Sequence, residues 1–356
     1  MSVTGAVQLC RSNTRMLRAA RYYPMQPAMR RILIVLALAI LLLPAGHKNK
    51  PQLLHPGMLP VAARAVALNA GDPAMRRVGR LDYIAGWELT SRNPNFGGIS
   101  SLLVEPAGQI LGLSDAGILM GFHVGPGEAR RRPFIAPLPV RPQDKEKPWW
   151  AWDSESMTHD PATDRYWVGF ELQQMICRYS SGFARVEACR TWPEIEAWPK
   201  TGSIESLARL PDGRFIAIAE MGMTADGHHD TLLFSGDPAD PDTPSPIHLR
   251  YTPPQGYRPT DAVALDERRL LVLNRRLTLQ ELFTGVIAIV ELPERLEPGT
   301  RLRAQPLARL APPLLADNFE GLAVTREGGE TMIWVVSDDN HEFFQRTLLL
   351  KFALRQ

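Results

Sequence analysis

The stretch NFEGLAVTREGGETMIWVVSDDN, residues 318–340, reads as a short apolar hairpin with acids at both ends. Glu320 sits between Phe319 and Gly321-Leu322, and the run Met332–Val336 leads into Asp338 and Asp339. A carboxylate in apolar surroundings needs a partner or a task. Four other stretches repeat the pattern: GGISSLLVEPAGQILGLSD (97–115), SESMTHDPATDRYWVGFE (154–171), SIESLARLPDGRFIAIAE (203–220) and TDAVALDERRLLVLN (260–274). Each is an apolar strand, a turn with Asp, Gly or Pro, and a second apolar strand. Aligning the turn glycines Gly108 and Gly213 makes Ser100, Glu155, Glu205, Asp261 and Glu320 equivalent, at spacings of 55, 50, 56 and 59 residues.

A period of that length, filled by four short strands, is the mark of a β-propeller blade. The remaining strands fall at ILMGFHV (118–124), QMICRYS (174–180), ARVEACR (184–190), TLLFSG (231–236), PIHLRY (246–251), GVIAIVEL (285–292), QPLARL (305–310) and TLLLKFAL (347–354). The fifth unit lacks an outer strand. RLDYIAGWEL (80–89) supplies it and closes the ring, which removes open sheet edges. The expected fold is all-β, a propeller of five blades of four antiparallel strands. Six blades is the alternative, if an irregular blade lies within 120–150.

In each blade the start of the first strand lies beside the end of the second, at one edge. The pairs Ser100/Asp115, Glu155/Glu171, Glu205/Glu220, Asp261/Asn274 and Glu320/Asp338 are therefore expected to ring one mouth of the central channel. Two like charges about 4 Å apart repel by about 1 kcal/mol in water and about 4 kcal/mol at an effective dielectric of about 20. Raised pKa values, Arg or Lys partners, or a bound cation relieve this. A flexible ring of oxygen ligands favours a hard ion, Ca²⁺ before Mg²⁺. The bland alternative is a latch: each acid accepts backbone N–H groups of the next blade.

Of the 356 residues, 45% are hydrophobic and 22% charged, enough for a filled core. The 31 Pro and 27 Gly are scattered, as frequent turns require. The net charge of +2 hides an asymmetry: residues 1–50 hold eight Lys/Arg and no acid, which leaves residues 51–356 at −6. That balance argues against nucleic acid as a partner. Arg30-Arg31 precede the twelve-residue apolar run Ile32–Leu43, short for a bilayer span and fitting for a signal peptide. Residues 1–46 are read as a signal peptide or an uncleaved membrane anchor, 47–78 as a linker, and 79–356 as the propeller. The expected location is periplasmic or secreted, with attachment to the inner membrane only through that anchor. A monomer is expected. Cys177 and Cys189 either pair, as in an exported protein, or stay as buried thiols.

With these residues assembled, the chain resembles the phytase-like family described as "esterase-like activity of phytase". The resemblance is carried by FGGISSL (96–102) with LSDAG (113–117), SIESLA (203–208) with AIAEM (217–221), and NFEGLA (318–323) with VVSDDN (335–340) and QRTLLLKF (345–352). It spans about residues 79–354. It implies an exported bacterial propeller and, by its name, hydrolysis of phosphoesters or other esters, by analogy with calcium-dependent propeller phytases. Ser100 and Asn274 stand where the other units carry acids.

The expected site is metal-assisted and takes a small ester or phosphoester. Glu155, Glu205, Glu320 and Asp338 are its candidate acid/base groups. Asp115, Glu220, Asp261 and Glu320 are the candidate metal ligands. Arg275, Asn340 and Arg346 are candidates for holding substrate, with the arginines serving as counter-ions to the acids as the alternative. A non-catalytic ligand- or partner-binding propeller with a structural cation is the second reading, and a lactonase or glycoside hydrolase the third. GHHD (227–230) offers a base near the mouth or plain polar surface; PWWAW (148–152) lines the mouth or packs between blades. No GxSxG, GxxxxGK or GxGxxG motif occurs.

Overall fold

The apolar strands of the repeat pack as five sheets whose inner strands contact one another in a ring. The computed structural model describes residues 53, 55–106, 108–125, 132–144, 146–147 and 152–355. The segment read as signal or anchor lies outside them. Among the described residues no helix is long and apolar enough to cross a membrane.

Blade one runs outward from Ile99–Val104 through Ile110–Ser114 and Ile118–Phe122 to Phe134–Pro137. That last strand fills the 120–150 region where a sixth blade was the alternative. Blade two is Ser154–Asp160, Arg165–Phe170, Met175–Tyr179 and Val186–Thr191; blade three is Ile204–Arg209, Phe215–Met223, His229–Phe234 and Ile247–Thr252. Blade four is Arg258–Asp266, Arg269–Thr278, Leu282–Glu291 and Gln305–Leu310. Blade five takes Phe319–Glu327, Glu330–Ser337 and Thr347–Leu354 from the C-terminal end of the chain and Leu81–Ser91 from before blade one. The protein is thus an all-β, five-bladed propeller, closed by an N-terminal strand.

Alternation along each strand sends successive side chains to the two neighbouring blades. Five large apolar clusters result, each at one seam. Leu271, Leu273 and Ile287 meet Phe319, Ile333 and Leu350 between blades four and five. Ile99, Met120 and Phe122 meet Trp334, Val336 and Leu349 between five and one, and the other three seams are filled in the same way. Hydroxyls of the inner strands stitch the seams nearer the axis. Ser154 Oγ donates to the Ser114 carbonyl at 2.7 Å, Ser156 Oγ to Ile204 at 2.9 Å and Thr260 Oγ1 to Phe319 at 3.2 Å. Each such bond contributes about 1 kcal/mol net.

Residues 57–78, read from the sequence as linker, add strands instead. Gly57–Met58 extends blade one at its outer edge, and Val61–Ala65 and Arg77–Val78 pair with Leu81–Ser91. These are exposed edge strands, with side chains of Val61–Ala65 mostly in solvent. They therefore lack the apolar alternation that marks a strand in sequence. Cys177 and Cys189 face each other across the two outer strands of blade two and form a disulfide.

Candidate functional site

One irregularity repeats in all five blades and builds the mouth. The pairing of first and second strands slips by one residue close to the start of the first strand. The extra residue is Ser100, Glu155, Glu205, Thr260 and Glu320 in turn. A β-bulge re-aims its side chain away from the regular alternation. Asp115, Glu171, Glu220, Arg275 and Asp338 each follow the second-strand residue that pairs with the residue just before the bulge. Gly98, Asp153, Ser203, Arg258 and Asn318 stand two residues before each bulge.

Blade four departs from the sequence alignment. There the equivalent positions are Thr260 and Arg275, not Asp261 and Asn274, because a second bulge between Ala264 and Asp266 adds one residue to the strand. Aligning on the turn carried that residue into the register. Asp261 consequently stands outside the bulge series. Its carboxylate accepts the Leu322 N–H of blade five at 2.7 Å and the Ala262 N–H at 2.8 Å. This is the latch that was the bland alternative. Burial still holds its pKa well above the usual carboxylate range. Asn274 is buried beneath, bonded to the Tyr251 hydroxyl at 2.7 Å.

The ring is electrostatically two-sided. Blade four contributes no acid at these positions and two cations, Arg258 and Arg275. The Arg275 guanidinium donates to Glu220 of blade three at 3.1 and 3.2 Å, to Asn318 Oδ1 at 2.9 Å and to Glu320 of blade five. Burial acts against its charge, but Glu320, Glu220 and Glu205 outweigh that and raise its pKa well above the ordinary value. Asn318 Nδ2 adds a 2.6 Å bond to Glu320.

Blade two is the opposite case. Asp153, Glu155 and Glu171 are all buried, and one oxygen of each lies within 4.8 Å of the others. Burial raises the pKa of Glu155 well above normal, and Glu205, Asp153, Glu171 and Glu320 add to it. Glu171 is pushed up to about 7 by burial and Asp153, against the lowering effect of the Gly202 N–H. It accepts the Gly202 and Ser203 backbone N–H groups of the next blade and shares side-chain hydrogen bonds with Asp153 and Glu205. Glu205 is likewise raised well above normal, by burial, Glu220 and Glu171, with Arg275 pulling the other way. Asp153 was missed as a site residue. It precedes the strand, yet it occupies the same place before the bulge as Asn318 in the 318–340 hairpin.

The remaining candidates are spread along the blade-one and blade-five rim. Asp115 Oδ1 and His341 Nε2 flank Gly98, each 3.1 Å from where a Cβ would stand; the Gly98 φ of +62° also favours glycine. Asp338 is buried and accepts the Asn340 N–H at 2.7 Å. Asn340 itself donates to Gln345 at 2.9 Å, and Arg346 to Asp317 at 3.2 Å. In the GHHD loop, His229 is buried against the Ala219 carbonyl at 3.0 Å, and burial lowers its pKa. From the aromatic run, Trp152 packs edge-on against Phe170 at 5.6 Å. His159 sits at the far edge, bonded to Asp164 at 2.9 Å.

A search of curated proteins finds no match. Among solved structures, the chain is similar to the Kuenenia stuttgartiensis hydrazine synthase at 11% identity and a TM-score of 0.39, over 83% of this chain and 80% of that one. That likeness is too distant to carry an argument. The family model for the phytase-like domain, described as esterase-like activity of phytase, matches residues 94–341. That span takes in all five bulges and every acid of the ring, and the chain belongs to this phytase-like family.

Proposed function

We propose that the protein is an exported hydrolase of phosphoesters or other esters, working at the acidic mouth of the channel with a divalent cation, calcium first. The observation that carries this is the two-sidedness of the ring. Arg275 neutralises the Glu220 and Glu320 side, while the groups acting most strongly on Glu155, after burial, are all carboxylates.

The donor set fits a hard cation. Asp153, Glu155 and Glu171 offer oxygen atoms only, from one blade, and mutual repulsion is what a dication would relieve. These three are the proposed ligands in place of Glu220, Asp261 and Glu320, whose carboxylates are engaged by Arg275 or the Leu322 N–H. Bound there, the ion would polarise an ester or phosphoryl oxygen and lower the pKa of a water. Burial, Glu220 and Glu171 favour the protonated form of Glu205, and it stands in hydrogen-bond contact with Glu171, which suits it to protonate a leaving oxygen. Arg275 holds the field of the ring in check, and its bonds to Glu220, Glu320 and Asn318 favour that task over gripping phosphate.

The test is a panel of nitrophenyl phosphates and acyl esters, assayed with calcium, on wild type, Asp153→Asn and Glu205→Gln. Turnover by wild type that falls at least a hundredfold in Glu205→Gln, at a melting temperature no lower than that of wild type, is the expected result. The Asp261 latch and the Arg275 bridge favour one other reading, a ligand-binding propeller whose cation is structural. Calcium-dependent stability without turnover of any substrate would select it.

A further inference from the structure

Seven of the nine large apolar side chains exposed on the described residues stand at this same mouth: Met221, Met223, Leu277, Leu279, Leu282, Phe343 and Phe344. They occupy the ends of the second strands of blades three and four, the start of the third strand of blade four, and the turns that follow the second strands of blades four and five. In blade four the paired strands continue past Arg275 to Thr278 and Leu282, so the hairpin stands above the ring. Leu279 at its tip is 63% exposed, and Phe343 in the blade-five turn is 89% exposed. The corresponding turns of blades one and two, between Ser114 and Ile118 and between Phe170 and Met175, are short and carry no exposed large apolar residue. Among the described residues, an apolar wall therefore rises on three blades, across the mouth from Asp153, Glu155 and Glu171.

The wall is continuous with the acid cluster. Met221 packs over the α-carbon of Gly202, whose N–H is bonded to Glu171. A molecule with its polar end at the carboxylates would lay whatever follows against Met221 and Met223. The charge on the wall narrows the occupant. Arg276 and Arg346 are paired with Glu281 and Asp317, Asp226 with Arg250 and Arg301, and Asp339 and Glu342 stand in the blade-five turn, so the charges there are largely paired and carry no basic excess. Such a surface does not attract an anionic bilayer. It suits a single dispersed molecule with an uncharged hydrocarbon tail, and contiguous exposed apolar surface on a soluble domain marks a binding site.

We propose that the substrate is amphiphilic: an ester or phosphoester whose polar head enters the acidic half of the mouth while an alkyl or acyl chain lies along the wall of blades three to five. This rests on the hydrolase reading and specifies the leaving or acyl group.

Two chain-length series test it on the full chain in calcium. The first is kcat/KM for nitrophenyl acyl esters from acetate to octanoate; the second is calorimetric affinity for methyl-, butyl- and octylphosphonate, which needs no turnover. Full burial of a methylene is worth about fourfold, so half-burial on an open wall gives about twofold per methylene in both series. The double variant Leu279→Ser/Phe343→Ser is expected to reduce that slope by at least half. Turnover with a flat chain-length profile would overturn the amphiphilic substrate and leave the hydrolase standing. Phosphonate affinity that climbs with chain length in the absence of turnover would support the wall and remove the hydrolase. Unchanged slopes in the double variant, with a change in sedimentation from dimer to monomer, would reassign the wall to self-association. Absence of binding by any phosphonate, or equal affinity for all three, would also overturn the proposal.

Discussion

Replacing Glu171 by Gln removes one charge from the blade-two cluster while keeping an oxygen to accept the Gly202 and Ser203 N–H groups. The effect on stability follows from the raised pKa. In the unfolded chain Glu171 ionises near its ordinary value of 4.5; in the folded protein it does so near 7. Between those values the folded state holds a proton that the unfolded state has lost, so stability falls as pH rises through the window. A shift of that size corresponds to ~3 kcal/mol, present below about pH 4.5 and lost by about pH 7 to 8. Glu155 and Glu205 are raised in the same direction and steepen the fall. Urea unfolding of wild type from pH 5 to 8.5, in chelator, is expected to show declining stability across this range. Glu171→Gln removes its own share, so its profile declines by ~3 kcal/mol less. Calcium is expected to restore wild type more at pH 8 than at pH 5, because protons and the cation compete for the same oxygens. Parallel profiles for the two proteins in chelator would refute the electrostatic reasoning, since the repulsion would then lie elsewhere.

Other outcomes follow from individual contacts. Arg275→Met leaves Glu220 and Glu320 buried without their shared cation; the expected loss is about 3–5 kcal/mol by denaturant titration. Asp261→Ala strips the Leu322 N–H of its acceptor at the seam of blades four and five, and a loss of about 1–3 kcal/mol is expected in the same assay. Replacing Cys177 and Cys189 together by Ser opens a loop of 12 residues in blade two, with an expected loss of about 3 kcal/mol. Reductant should have the same effect on the native protein and none on the double variant.

The period of the hairpins placed every blade and the closing strand, because apolar alternation and turn residues are local signals that survive in sequence. The axial position of the acids was legible for the same reason in blades one, two, three and five. In blade four, a bulge is a pairing between two strands and leaves no mark on either alone. The second bulge after Ala264 therefore exchanged Asp261 for Thr260 and hid Arg275 as a member of the ring. Asp153 escaped because it lies just ahead of its strand, behind an aromatic run. Only the bulges, once seen, show that the residue two places earlier also belongs to the mouth. The strands Gly57–Met58 and Val61–Ala65 were unreadable because an exposed edge strand selects no apolar pattern.

Calcium binding at pH 7.5, measured by titration calorimetry, tests the division of the ring most directly. One site per chain is expected, weakened at least tenfold by Asp153→Asn or Glu155→Gln and changed less than threefold by Glu320→Gln on the side neutralised by Arg275. Absence of binding up to millimolar calcium, or equal weakening by substitutions on the two sides, would contradict the account.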